Sequence, residues 1–272
     1  MALFARKLQP FKGTTLAPVR NRGWAFAGAC VGVLAASLWF APAQWLATAC
    51  GLATDGQVLL DNANGTLWKG SAQLVLRGGA QSQAAVALPG RIEWHLNPAW
   101  TGLNVQLEAA CCMAQPLASR LRLGWNRLGL QIDDHQSNWP AGLLAGLGTP
   151  WNTVMAQGNL AVDVKGLSVE WSQGRSSLAG RFQMDAMEMT SSLSTLKPMG
   201  SYRLTLDGGS VNTLKLETLQ GSLQLVGSGQ WVGGRLRFEG VASAAPERQE
   251  ALANLLNIIG RRDGARSVIK LG

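Results

Sequence analysis

The chain has 272 residues, 47% of them apolar and 15% charged, an ordinary composition for a folded protein with a real core. Its net charge of +8 would suit a nucleic-acid binder if it were spread over a surface, but it is not. Residues 1–54 hold Arg6, Lys7, Lys12, Arg20 and Arg22 and no acid, leaving only +3 for everything after them, so the excess flanks an apolar segment and nucleic acid drops out as a partner.

No Asp, Glu, Lys, Arg or His lies between Gly23 and Thr54. A membrane-spanning helix needs about 20 apolar residues, because lipid offers the backbone no hydrogen-bond partners. The stretch from Trp24 to Leu46 satisfies that count, interrupted only by Pro42, with Trp24 at one end and Trp39 and Trp45 near the other, where indoles favour the interface. This predicts a basic cytoplasmic tail over 1–22, a transmembrane helix over 23–49 and an exported region over 50–272, oriented by the positive-inside rule. A cleaved signal peptide remains open, ending at Ala41-Pro42-Ala43 or Ala47-Thr48-Ala49, the latter followed by Cys50 as in a lipoprotein site without its usual Leu. Within the span, Gly28, Gly32 and Ala36 make a small-residue stripe, the spacing that lets two helix backbones approach in a bilayer.

After Asp55 the hydrophobic period becomes two. Leu74 and Leu76, then Ile92, Trp94 and Leu96, then Val105 and Leu107 alternate with polar neighbours. Leu121, Leu123 and Trp125 lead across a turn to Leu128, Leu130 and Ile132. The pattern continues through Leu160–Val164, Leu167–Trp171, Phe182–Met184, Tyr202–Leu206, Leu214–Leu216, Leu223–Leu225 and Leu236–Phe238. Strict alternation means one buried and one wet face, the mark of antiparallel sheet. Asn126-Arg127, Lys165-Gly166, Asp207-Gly208-Gly209 and Gly233-Gly234 read as hairpin connections. The expectation is an all-β meander of about a dozen short strands, a curved sheet, sandwich or half-barrel. A sub-boundary is expected near 138–151, where Trp139-Pro140 and Thr149-Pro150 flank a short helical Ala141–Leu147.

One amphipathic helix closes the chain. Pro246 suits a first helical position, Glu247 and Glu250 suit the positive N-terminus, and Gly260 suits the stop. Leu252, Leu255, Leu256 and Ile259 fall on one stripe, ready to cover a sheet face. A basic loop Arg261-Arg262-Asp263 and a last strand Ser267–Leu271 follow.

Reactive chemistry is not visible. The two histidines, His95 and His135, are far apart, and no CxxC occurs. That leaves no zinc spacing, no cofactor loop and no nucleophile elbow. His135 reads as part of a turn after Ile132, and His95 as lying on a strand's polar face. Cys111 and Cys112 are adjacent; a vicinal disulfide and a pair of thiols at a strand end are both open.

Several segments, taken in order, resemble the protein N family of the bacterial type II secretion system. They are Gly65-Thr66-Leu67-Trp68-Lys69-Gly70-Ser71-Ala72, Ile92-Glu93-Trp94-His95-Leu96-Asn97-Pro98, Trp139-Pro140-Ala141-Gly142-Leu143-Leu144 and Gly158-Asn159-Leu160. Met199-Gly200-Ser201-Tyr202 follows, with Met199 where the family pattern has Leu, then Thr218–Leu223, Gly227–Trp231 and Leu255–Arg262. The resemblance implies a non-enzymatic accessory component of the inner membrane, without cofactor. Its β domain would lie in the periplasm, near the outer-membrane secretin and the inner-membrane platform proteins. It also implies kinship with β-rich envelope proteins that carry an apolar groove. The one-faced apolar meander itself makes a lipid-binding or lipid-conducting envelope protein the alternative. The signature Gly and Trp residues have a packing reading of their own, as turns, close backbone approaches and buried rings.

Overall fold

The computed structural model describes residues 22–79 and 85–272, so all of the basic tail except Arg22 lies outside the described residues. The chain forms two compact units, Met1–Phe40 and Ala41–Gly272.

In the first unit, helix α1 runs Arg22–Trp39. It does not continue as the expected helix over 23–49. Pro42 sits in extended geometry (φ −69°, ψ 150°), and α2 starts afresh as Ala43–Ala53. The cause is local: proline has no N–H to give to a helix, and it pushes the residue before it out of the helical region. The Ala41 carbonyl accepts a hydrogen bond from Leu67 N–H at 2.7 Å instead, and Pro42 bridges Thr66. Ala43 is buried with Ala72 and Trp94. The second half of the apolar stretch therefore belongs to the β unit. The eighteen residues of α1 rise about 27 Å at the usual pitch, against a hydrocarbon layer of roughly 30 Å. No helix among the described residues is long and apolar enough to cross a membrane.

The second unit is built on one antiparallel sheet of sixteen strands among the described residues. Strands β1 (Val58–Gly65), β2 (Lys69–Arg77), β3 (Ala85–Ala87), β4 (Ile92–Ala99), β5 (Gly102–Ala109), β6 (Leu117–Gly124), β7 (Arg127–Ile132) and β8 (His135–Pro140) make the first half. A 3₁₀ segment Ala141–Leu147 and the short helix α3 (Trp151–Val154) follow. Two sixteen-residue strands, β9 (Gln157–Ser172) and β10 (Arg175–Thr190), cross the middle. Then come β11 (Gly200–Gly208), β12 (Thr213–Gly221), β13 (Leu223–Val232) and β14 (Arg235–Ala244), helix α4 (Gln249–Ile259), β15 (Arg261–Asp263) and β16 (Arg266–Leu271). The order is β1-β2-β4-β5-β6-β7-β9-β10-β11-β12-β13-β14-β16-β15, with β3 beside β2 and β8 beside β9.

Sequence neighbours are therefore sheet neighbours almost throughout. Two turns follow the rule for right-twisted hairpins: Gln173 and Gly174, and Gly233 and Gly234, all have positive φ. Lys165-Gly166 is not a turn, contrary to expectation. Gly166 (φ +54°) lies within β9 and Gly180 (φ +89°) within β10, where the register shifts. A Cβ on Gly180 would strike the Gly166 carbonyl. The glycines permit a bulge, which bends both strands instead of reversing one. The expected basic loop Arg261-Arg262-Asp263 is likewise a strand, paired with Ser267 and its neighbours at the sheet edge. His135 opens β8, paired with Val164, and is not in a turn.

Because every pair is antiparallel, connections alternate between two rims. One rim carries the tight hairpins β1–β2, β4–β5, β6–β7, β9–β10, β11–β12 and β13–β14. The other carries the long connections, including β3, β8, the 3₁₀ segment, α3 and α4. Two of the three core clusters sit at that second rim; the third, Ala43 with Ala72 and Trp94, lies under α2 at the β1–β2 end. Leu252, Leu255 and Leu256 of α4 are buried against Leu160, Tyr202, Leu223 and Ala242, each leucine contributing about 1.5–3 kcal/mol as an upper figure. Leu143 of the 3₁₀ segment packs with Leu88, Ala109 and Cys112.

The Gly65–Ala72 motif has a packing role here. Trp94 is buried and donates its indole N–H to the Leu67 carbonyl at 3.0 Å. A Cβ on Gly70 would lie 2.5 Å from the Trp94 ring. Gly70→Ala is expected to cost about 1–3 kcal/mol by overpacking in chemical denaturation. Gly129→Ala, whose nearest neighbour would be 3.8 Å away, is expected to change stability little.

Candidate functional site

The meander leaves one apolar face and covers only part of it. Leu121, Leu130, Val169, Leu178 and Leu206 are on that face by register, as partners or next-but-one neighbours along the ladders. Toward the long-connection rim it is sealed by α4, α3 and the 3₁₀ segment. Toward the hairpin rim, beyond the β1–β2 end that α2 covers, the cover stops. Leu123, Leu128 and Trp171 are exposed, and Leu103, Leu214 and Leu236 are half-buried. The surface is therefore an apolar face closed at one rim and open at the other, the feature of the β unit best suited to meet a partner.

The opposite face carries ordered charge. Arg203 donates to Asp185 through Nε and Nη2, both at 2.7 Å, a bidentate pair. This hydrogen bonding holds the Asp185 carboxyl below the usual carboxylate range. Asp185, Asp163, Gln136, Gln183, Asn138 and Cys112 line a shallow depression of about 350 Å³. Two of its donors are paired within the sheet: Gln136 Nε2 reaches Asp163 at 3.2 Å, and Gln183 Nε2 reaches Asp185 at 3.3 Å.

Other groups with chemical potential are dispersed. His135 is buried, its Nε2 has no protein partner, and burial lowers its pKa. Tyr202 Oη is also buried without a protein partner, and burial pushes its phenol far up. Cys111 and Cys112 are joined in a disulfide in the β5–β6 connection, which resolves the alternatives the sequence left open. Among the described residues no three of His, Cys, Asp or Glu are grouped to hold a metal ion. Gly28, Gly32 and Ala36 lie along one side of α1, and a Cβ on either glycine would meet nothing within 4 Å.

The profile of the type II secretion system (T2SS), protein N family matches residues 56–269, nearly the whole β unit. The chain belongs to this family. No curated protein and no solved structure matches it. The family's other motifs map onto packing. Gly221 (φ +124°) faces Gly200 directly across β11 and β12, where any Cβ would collide with backbone. Phe238 lies over Gly227 and Gly240, which leave it room. As a type II secretion system component, the protein carries its signature in the geometry of the sheet. The open end of the apolar face escaped sequence reading, because alternation reports which face a residue shares but not which loops cover it.

The Asp185–Arg203 pair has a pH consequence. A carboxyl held low in the folded state adds stability that is present above its unfolded pKa, near 3.9, and is lost as pH falls through the folded value. Arg203→Gln removes the depression. Between about pH 5 and about pH 3 its urea midpoint is expected to fall less than that of the unsubstituted protein, whereas parallel curves would contradict this role.

Proposed function

We propose that the chain is a non-enzymatic accessory component of the type II secretion system, held at the inner membrane, that links the inner-membrane platform to the periplasm and the outer-membrane secretin during export of folded proteins. The profile match over residues 56–269 carries this reading. Three features of the molecule support it. The β unit offers broad surfaces for partners. Helix α1 exposes Trp24, Phe26, Val31, Val33 and Leu34, a surface suited to lipid or to another apolar helix. The Cys111–Cys112 disulfide fits an oxidising compartment such as the periplasm. Deleting the gene is expected to reduce secretion of the system's exoproteins, and the tagged protein is expected to co-purify with secretin and platform proteins. Normal secretion with no co-purification would overturn the reading.

A second reading, a lipid-binding or lipid-conducting envelope protein, is favoured by one observation, the uncovered Leu123, Leu128 and Trp171 on the apolar face. Mass spectrometry of the purified protein separates the two: stoichiometric phospholipid, lost in Leu128→Gln, supports lipid carriage.

The stripe Gly28, Gly32 and Ala36 is proposed as the contact of α1 with a second helix. Replacing Gly28 and Gly32 by Leu is expected to abolish crosslinks formed through α1 in membranes. Unchanged crosslinks would remove the stripe from consideration.

A further inference from the structure

The hairpin rim has an unusual composition over three adjacent hairpins. Trp100, in the β4–β5 turn, is 103% exposed, and Trp125, in the β6–β7 turn, is 99% exposed. Trp171, near the end of β9, is 43% exposed. Strands β4, β5, β6, β7, β9 and β10 are consecutive in the sheet, so the three indoles belong to one stretch of rim. Folding gains nothing from an indole held in water, since its large apolar area goes unburied.

Basic side chains lie between them. Arg122, Arg127 and Arg175 are exposed, and none of the three forms an ion pair among the described residues. Across the tips 97–104, 120–129 and 168–178 the sole acid is Glu170, against Arg120, Arg122, Arg127 and Arg175. Arg120 is paired with Asp133. The chain also enters the β unit at this rim. Ala41, the first residue of the unit, is bonded to Leu67 in the β1–β2 connection, and the apolar α1 immediately precedes it in sequence.

We infer that this rim, formed by the β4–β5, β6–β7 and β9–β10 hairpins, is a docking face for an anionic membrane surface. Trp100 and Trp125 seat in the interfacial layer, while Arg122, Arg127 and Arg175 lie against lipid headgroups. The chemistry fits at each point. Indoles favour the boundary between headgroup and acyl chain, and guanidinium groups favour anionic headgroups. Short hairpins with Gly or Asn at their tips add little bulk around the rings. A second copy of the chain is a poorer occupant, because a two-fold contact would set these arginines against themselves. The sheet then stands on the membrane by its open rim, with α4 and the other long connections directed away from it. This inference rests on the membrane location proposed above, but not on any secretion partner.

The test uses the full chain with Cys30 and Cys50 replaced by Ser, reconstituted in phosphatidylcholine vesicles with or without phosphatidylglycerol. An environment-sensitive fluorophore is placed through Thr101→Cys or Asn126→Cys at the tips, through Asn257→Cys at the opposite rim, or through Ser37→Cys on α1, and is quenched by brominated lipid. The expected result is quenching at Thr101→Cys and Asn126→Cys that requires phosphatidylglycerol, with Asn257→Cys unaffected. The docked-to-undocked ratio should fall roughly fivefold for each of Arg122→Gln, Arg127→Gln and Arg175→Gln. Tip labels quenched no more than Asn257→Cys, while Ser37→Cys is quenched, would overturn the docking face and leave the membrane location standing. Absence of quenching at Ser37→Cys as well would overturn both. Tips that ignore lipid but hold an acidic polypeptide would assign the rim to a protein partner and also overturn the inference.

Discussion

A sheet whose strands alternate apolar and polar residues creates an apolar face that water will not solvate cheaply, and the rest of this structure answers that constraint. Sixteen strands in near-sequential order make a face too wide for one helix to cover. The protein covers most of it from one side, with α2 covering the β1–β2 end. Nearly all long connections leave from the same rim, and they return buried side chains to the sheet: Leu143 from the 3₁₀ segment, and Leu252, Leu255 and Leu256 from α4. The other rim keeps short hairpins that cannot fold back. The same topology therefore produces both a packed core and an uncovered end.

The cover is anchored by specific polar contacts. The buried Ser267 hydroxyl donates to the Leu256 carbonyl near the end of α4, and Ser194 donates to Ala251 in the same helix. These satisfy groups that helix packing would otherwise leave costly. Across the sheet, glycines do the complementary work of removing bulk. Gly70 admits the Trp94 ring, and Gly200 meets Gly221 backbone to backbone. A family signature of glycines and tryptophans thus describes how this sheet packs, with no need for those residues to touch a partner.

Much of this was legible in the sequence where the signal was periodic. The alternation along Ile92–Leu96, Tyr202–Leu206 and Leu236–Phe238 gave the strands and their shared face, and the Leu252, Leu255, Leu256 stripe gave α4 and its buried side. What escaped was set by contacts distant in sequence. The apolar count over 23–49 looked continuous, but Pro42 and the hydrogen bond from Leu67 to Ala41 split it into α1 and a helix belonging to the β unit. Lys165-Gly166 had turn chemistry, yet Gly180 opposite it made a bulge. Arg261–Asp263 looked like a loop because a three-residue edge strand has almost no pattern to show. The open end of the face depended on where every loop goes, which no local window reports.

The feature on which the fold turns is one apolar face sealed at the long-connection rim and, beyond the strands that α2 covers, open at the hairpin rim. Its most direct test is the rate at which single cysteines on that face react with a water-soluble maleimide, in the folded full chain lacking Cys30 and Cys50. Leu123→Cys, at a position 59% exposed, is expected to react rapidly, and Leu223→Cys, at a position 2% exposed, only on unfolding. Equal protection at both positions would mean that the face is covered from end to end, and would contradict the account.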